Sequence, residues 1–115
     1  MMTAEVIVTA LLAALIAFSS LIKLVGARQS LAIRDHLGVK PMQWRAIGLL
    51  ELAGVAGVLI GLVWWPIGVA AAVGLALLLL GAIGFHIRAS DSATDTAPAV
   101  IGLGLAVATA ILQAG

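Results

Sequence analysis

The stretch "IGLLELAGVAGVLIGL", Ile47–Leu62, decides how this chain is read. Glu51 is its only polar residue, and Gly48, Gly54, Gly57 and Gly61 punctuate it. Such a run suits the hydrocarbon core of a bilayer, which about 20 mostly apolar residues span as a helix. An acidic side chain near the bilayer centre costs about 2.5–3.5 kcal/mol, so Glu51 requires a partner, a proton or a task.

The rest of the chain agrees with a membrane setting. Its 115 residues are 63% hydrophobic and 10% charged, with a mean hydropathy of +1.25; an ordinary soluble domain is about 25% charged. One transmembrane domain over residues 1–115 is expected, with the lipid bilayer as its first partner and no nucleic acid. The chain has no cysteine, which excludes disulfides, thiolate metal sites and dithiol redox chemistry within it. No metal site or cofactor is expected, and no catalytic residue stands out.

Four segments are long and apolar enough to span: Ala4–Leu24, Trp44–Trp64, Ile67–Ile87 and Ala97–Gln113. No period-two alternation suggests a barrel, and backbone groups in lipid must bond within their own segment, so the spans are helices. The first charge is Glu5 and the apolar run that follows outlasts a signal-peptide core of about 7–15 residues, so the first segment is expected to be retained. Pro66 starts the third helix. In "SDSATDTAP" (Ser90–Pro98), Asp95 or Thr96 is placed to cap the fourth, with Pro98 in its first turn.

Between the first two spans lies "GARQSLAIRDHLGVKPMQ" (Gly26–Gln43). Ser30 can cap a short amphipathic helix ending at Gly38, with His36 solvated on it. The expected fold is an all-α four-transmembrane-helix bundle with this short helix between helices 1 and 2.

Lys23, Arg28, Arg34, Lys40, Arg45 and Arg88 all fall on one side of such a bundle. Positive loops stay cytoplasmic, so both termini and the Trp64–Trp65 turn are expected outside a plasma or bacterial inner membrane. Trp44, Trp64 and Trp65 suit the membrane interface.

Helices associate in lipid through close backbone approach. Gly54, Gly57 and Gly61 lie on one side of the second span, and Gly74, Gly81 and Gly84 form a similar face on the third. Ala10, Ala14 and Ala17 on the first span, and Ala99, Gly102, Ala106 and Ala110 on the fourth, complete a set of packing faces. Glu51 lies about 10 Å inside the membrane at 1.5 Å per residue, a depth it shares with Lys23 and His86, while Ser19 and Ser20 lie a turn deeper. A Lys23–Glu51–His86 cluster is expected, serving either as a polar clamp or as a working site.

The ordered pieces "SSLIKL", "LGVKP", "GLLELAGVAGVLIGL" and "WWPIGVAAAVGLALLLLGAIGFHIR" resemble the DoxX-like family of small bacterial four-helix membrane proteins. The family takes its name from a subunit of a thiosulfate:quinone oxidoreductase, so the resemblance implies a respiratory or sulfur-linked role with quinone within reach. Three readings stand. The first is a non-enzymatic accessory or scaffold subunit, with a membrane-protein partner or further copies of itself. The second is a binder of quinone or lipid, and the third a proton-coupled small-molecule exporter. The third is the weakest, because glycines rather than aromatic rings surround Glu51.

Overall fold

The computed structural model describes residues 3–115, so the domain assigned to 1–115 is described from Thr3 onward. Every regular element among the described residues is a helix: α1 (Ala4–Leu24), α2 (Arg28–Leu37), α3 (Pro41–Ile60), α4 (Trp65–Arg88) and α5 (Ala93–Ala114). Helices α1, α3, α4 and α5 are each long and apolar enough to cross a membrane. They pack in a ring, α1 against α3, α3 against α4, α4 against α5 and α5 back against α1. Short connections make each neighbour antiparallel, giving an up-down-up-down bundle. The short α2 lies at one end and touches α1 and α4.

Local chemistry sets the helix ends. Thr3 caps α1, its hydroxyl accepting from the Val6 amide at 3.3 Å. Helix α2 closes on Gly38, whose φ of +73° is open to glycine at little cost; the Val39 amide then reaches back to the Arg34 carbonyl at 3.1 Å. Pro41 and Pro66 sit in the first turns of α3 and α4, where a missing N–H is harmless.

Several expectations are corrected. The second span runs from Pro41 to Ile60, not Trp44 to Trp64, because Gly61–Trp64 form the turn into α4. The fourth starts at Ala93, four residues before Ala97, because Ser92 is the better cap. Its hydroxyl accepts from the Asp95 amide at 3.1 Å and donates to the Asp95 carboxylate at 3.0 Å, a variant of the capping box. Asp95 and Thr96 are thus inside the helix, as is Pro98. Ser30 caps nothing. Helix α2 begins two residues earlier, and the buried Ser30 hydroxyl accepts from Trp44 Nε1 at 2.9 Å. Trp44 is accordingly buried, not an interface ring, whereas Trp64 and Trp65 are exposed.

The interior is built from Leu12 and Ile16 of α1, Val55 and Val58 of α3, Ala72, Leu75 and Leu79 of α4 and Ala106 of α5. Helix α1 turns Thr9, Leu12, Ala13, Ile16 and Ser20 inward; of the expected face, Ala10 and Ala14 are exposed and Ala17 alone packs against the core. Helix α4 turns Gly68, Ala72, Leu75 and Leu79 inward.

The glycines divide the same way. A methyl on Gly57 would stand 2.5 Å from the Ala71 Cβ, and one on Gly61 would strike the Gly68 Cα and the Gln113 amide. One on Gly54 would press on the buried Leu75 side chain, 2.5 Å from its Cδ2 and 2.6 Å from its Cγ. Gly81 does not pack: a Cβ there meets nothing within 4 Å, and the same holds at Gly74 and Gly84. Helix α4 uses the face of Gly68, Ala72, Leu75 and Leu79 against the bundle, so these three glycines lie off it. Gly61→Ala and Gly57→Leu are therefore expected to cost about 1–3 kcal/mol, because backbone and alanine cannot move aside as a long side chain can. Gly81→Ala should stay within about 0.5 kcal/mol. Thermal unfolding of the three variants in one detergent checks the ranking, and equal melting at all three positions would refute it.

Candidate functional site

The site begins with a missing side chain. Gly48 of α3 has no Cβ, and an added one would stand 3.1 Å from Lys23 Cβ and 3.2 Å from Leu24. Helix α1 can thus approach until the buried Ser20 hydroxyl donates to the Gly48 carbonyl at 2.8 Å. One turn further along α3, Glu51 emerges on the same inward face as Gly48 and Val55.

That approach places opposite charges together. Lys23 Nζ lies 2.9 Å from Glu51 Oε1, with both side chains nearly sealed from solvent at 11% and 7% exposure. Nζ also donates to Ser19 Oγ at 2.5 Å, and Ser19 donates to Glu51 Oε2 at 3.1 Å. Nζ stands 4.8 Å from the centre of the Trp44 ring, a distance at which a ring face attracts a cation. The ammonium thus has one hydrogen bond, one opposite charge and one ring face around it, and each carboxylate oxygen has a neighbour. Oε1 has its charge contact alone, without a hydrogen bond.

The sequence places Lys23 and Glu51 at one depth with Ser19 and Ser20 a turn deeper, and the structure brings these four together. His86 is not with them. Its Nδ1 lies 2.6 Å from Asp91 Oδ2, five residues on. Oδ1 of the same carboxylate lies 2.5 Å from His36 Nε2. His36 is more than half exposed, yet it is not merely solvated; it ties α2 to the α4–α5 loop. Hydrogen bonding to Asp91 and the charge of that carboxylate raise the His36 pKa above its ordinary value, with Asp95 adding to the effect. Hydrogen bonds from His36 and His86 hold Asp91 below the usual carboxylate range. Arg88 closes the same end by donating to the Leu37 carbonyl at 3.0 Å.

A further polar centre lies at the opposite end, in residues to which the sequence reading gave no role. Gln113 of α5 is buried, and its Nε2 donates to Thr9 Oγ1 of α1 at 3.2 Å and to the Val58 carbonyl of α3 at 3.0 Å. Its Oε1 has no hydrogen-bond partner and lies against Gly61 and Gly68. One amide thus touches all four spans. The available signal was two polar residues, Thr9 and Gln113, at matching depth near the outer ends of spans one and four.

No group of three or more His, Asp or Glu residues among the described residues is arranged to hold a metal ion. A cleft of about 620 Å³ runs between α3 and α4 over Gly54 and Gly57, with Leu50, Ile67 and Leu78 on its walls. Glu51 does not line it.

The model of the DoxX-like family matches residues 7–109. The chain belongs to the DoxX-like family. It is therefore a small multi-pass membrane protein of that type. No curated protein and no solved structure matches it. The matched segment contains every member of the Lys23–Glu51 cluster and of the His36–Asp91–His86 group, and stops short of Gln113.

Removing one charge of a buried pair leaves the other uncompensated, at a cost of about 3–5 kcal/mol. Glu51→Ala is expected to fall in that range, and Glu51→Gln, which keeps shape and a polar end, to cost about 1–2 kcal/mol. Combining Glu51→Ala with Lys23→Met should recover at least about 1 kcal/mol. A double-mutant cycle of unfolding free energies in detergent measures the coupling, and strictly additive losses would contradict the contact.

Proposed function

We propose that this DoxX-like protein is an accessory or scaffold subunit of a membrane complex, and that its Lys23–Glu51 cluster is structural. The observation that carries this reading is closure. Lys23, Glu51 and Ser19 turn their polar groups toward one another and the Trp44 face, and Glu51 Oε1, which accepts no hydrogen bond, lies against the Lys23 ammonium. A proton carrier or ligand site needs at least one such group turned toward a path or a pocket. The cleft between α3 and α4 runs elsewhere, and its lining is apolar.

Further support comes from α4, where Gly81 and Gly84 lie exposed with nothing packed on them. Small outward residues are where membrane helices approach one another. The partner class that fits is another membrane protein offering an apolar helix.

The reading is tested on the native complex. Detergent extracts of native membranes should yield the same co-purifying protein with Glu51→Gln as with the parent chain, and the variant should support growth equally. Loss of growth with the fold and the partner retained would make Glu51 a working acid and overturn the scaffold.

The second reading, a lipid or quinone binder, draws on the cleft of about 620 Å³. Leu50, Ile67, Ala71 and Leu78 line it without a side-chain hydrogen-bond donor. It suits a hydrocarbon tail better than a quinone head, which needs a donor for its carbonyl oxygens.

We also infer that the face carrying α2 is cytoplasmic. All six Lys and Arg residues lie toward that face, in or beside α2 and at the near ends of α1, α3 and α4. A reporter fused after Gly115 should then be active only if it works outside the cytoplasm. Activity of a cytoplasm-only reporter at that position would reverse the orientation.

A further inference from the structure

The chain has two histidines, from separate helices, and one carboxylate holds both. Asp91 lies in the α4–α5 loop with its side chain only 6% exposed. Oδ1 meets His36 Nε2 of α2 at 2.5 Å, and Oδ2 meets His86 Nδ1 of α4 at 2.6 Å. Neither imidazole belongs to the Lys23–Glu51 cluster.

We propose that His36, Asp91 and His86 form a pH-sensitive clasp that fastens α2 to the end of the bundle and loosens as the pH rises. Helix α2 is held by few other ties. At its start Ser30 accepts from Trp44; at its end Leu37 packs with Val39 and Trp44, and the Leu37 carbonyl accepts from Arg88. The clasp is its one tie that contains a group titrating near neutrality.

The charged groups around the clasp set the sign. His36 faces Asp91, with Asp95 of α5 adding negative charge. From α4 come His86 and the permanently charged Arg88, whose guanidinium is committed to Leu37. On α2 itself Arg34 and Asp35 pair with each other at 2.9 Å and leave no net charge beside the clasp. The His36 pKa is raised in the folded chain. Its contribution is therefore complete below the ordinary value of about 6.5 and is lost as the pH climbs through the raised one. Asp91 is lowered, so its contribution is present above the ordinary carboxylate range and fails only in strong acid. The clasp is tight between those limits and slackens on the alkaline side, where His36 becomes neutral and its hydrogen bond loses charge assistance.

The consequence reaches the buried pair. Ser30 of α2 holds Trp44, and Trp44 covers the Lys23 ammonium. A loosened α2 exposes the water-side approach to Lys23 and Glu51 while the four spans stay packed.

The test is hydrogen exchange of the full chain in detergent at about pH 5.5 and about pH 8, bracketing the range where histidine titrates. Protection is referenced at each pH to the intrinsic chemical rate. The α2 amides should lose protection several-fold at the higher pH, while α1 and α5 hold theirs. His36→Gln, at a half-exposed position, keeps a neutral donor and should abolish the pH dependence. Asp91→Asn should leave α2 weakly protected at both values. Flat protection in the parent chain, or an unchanged pH dependence in His36→Gln, overturns the clasp. Imidazole resonances of the parent chain give a second readout without substitution. A His36 midpoint above that of a free histidine side chain is expected, and one at or below it is fatal to the proposal.

Discussion

The approach of α1 to α3 at Gly48 is the contact on which the rest of the α2 end of the bundle depends. Between helices in lipid no hydrophobic force operates, so what holds them is close packing and the hydrogen bonds that packing allows. With no Cβ at Gly48, Lys23 and Leu24 lie directly on the α3 backbone and Ser20 reaches its carbonyl. Only at that separation can the Lys23 ammonium meet the Glu51 carboxylate at 2.9 Å. The ammonium then gives Trp44 a reason to lie over it, and Trp44 anchors α2 through Ser30. One absent side chain thus leads, contact by contact, from the middle of a span to a helix at the membrane surface.

The two ends of the bundle solve the same problem with different chemistry. Near α2 the tie is ionic, and its charges need one another, because a buried ion left alone costs several kcal/mol. At the other end the tie is a neutral amide. Gln113 donates twice, to α1 and to α3, and its oxygen fits where Gly61 and Gly68 bring α3 and α4 together. A neutral amide is cheaper to bury than a charge and cannot be switched by pH. The ionic end carries the histidines and the amide end the close approach of Gly61 to Gly68, so one end can respond to conditions while the other stays fixed.

Much of this was legible from the sequence, for a physical reason. Hydropathy sets span number and depth, since lipid admits only helices of sufficient length; it bounds α1 to the residue, puts Lys23 and Glu51 at one depth and sets Ser19 and Ser20 a turn deeper. Depth says nothing of direction around a helix axis. His86 shares the layer of Glu51 but points to Asp91 in the following loop. Gly81 shares a pattern with the packing glycines but lies on the opposite face of α4. On α1 an alanine stripe looked like a contact face, yet the bundle chose the stripe of Thr9 and Ser20, whose hydroxyls meet groups on neighbouring helices. Helix starts went astray where two caps compete within a few residues, as Ser92 and Asp95 do.

Membership in the DoxX-like family constrains the architecture more than the chemistry. Inside the bundle the polar side chains answer to neighbouring helices: Glu51 to Lys23, Ser20 to Gly48, Gln113 to Thr9. Such groups make poor reagents, because turning one toward a substrate would break the contact that keeps its helix in place. The groups that can change charge without parting the spans lie on α2 and the α4–α5 loop, where His36 is more than half exposed against a nearly sealed Asp91. A protein built this way keeps a rigid membrane body and places what can change at the surface. The spans then account for why it stays in the bilayer, and α2 is the element through which conditions in the adjoining water can reach it.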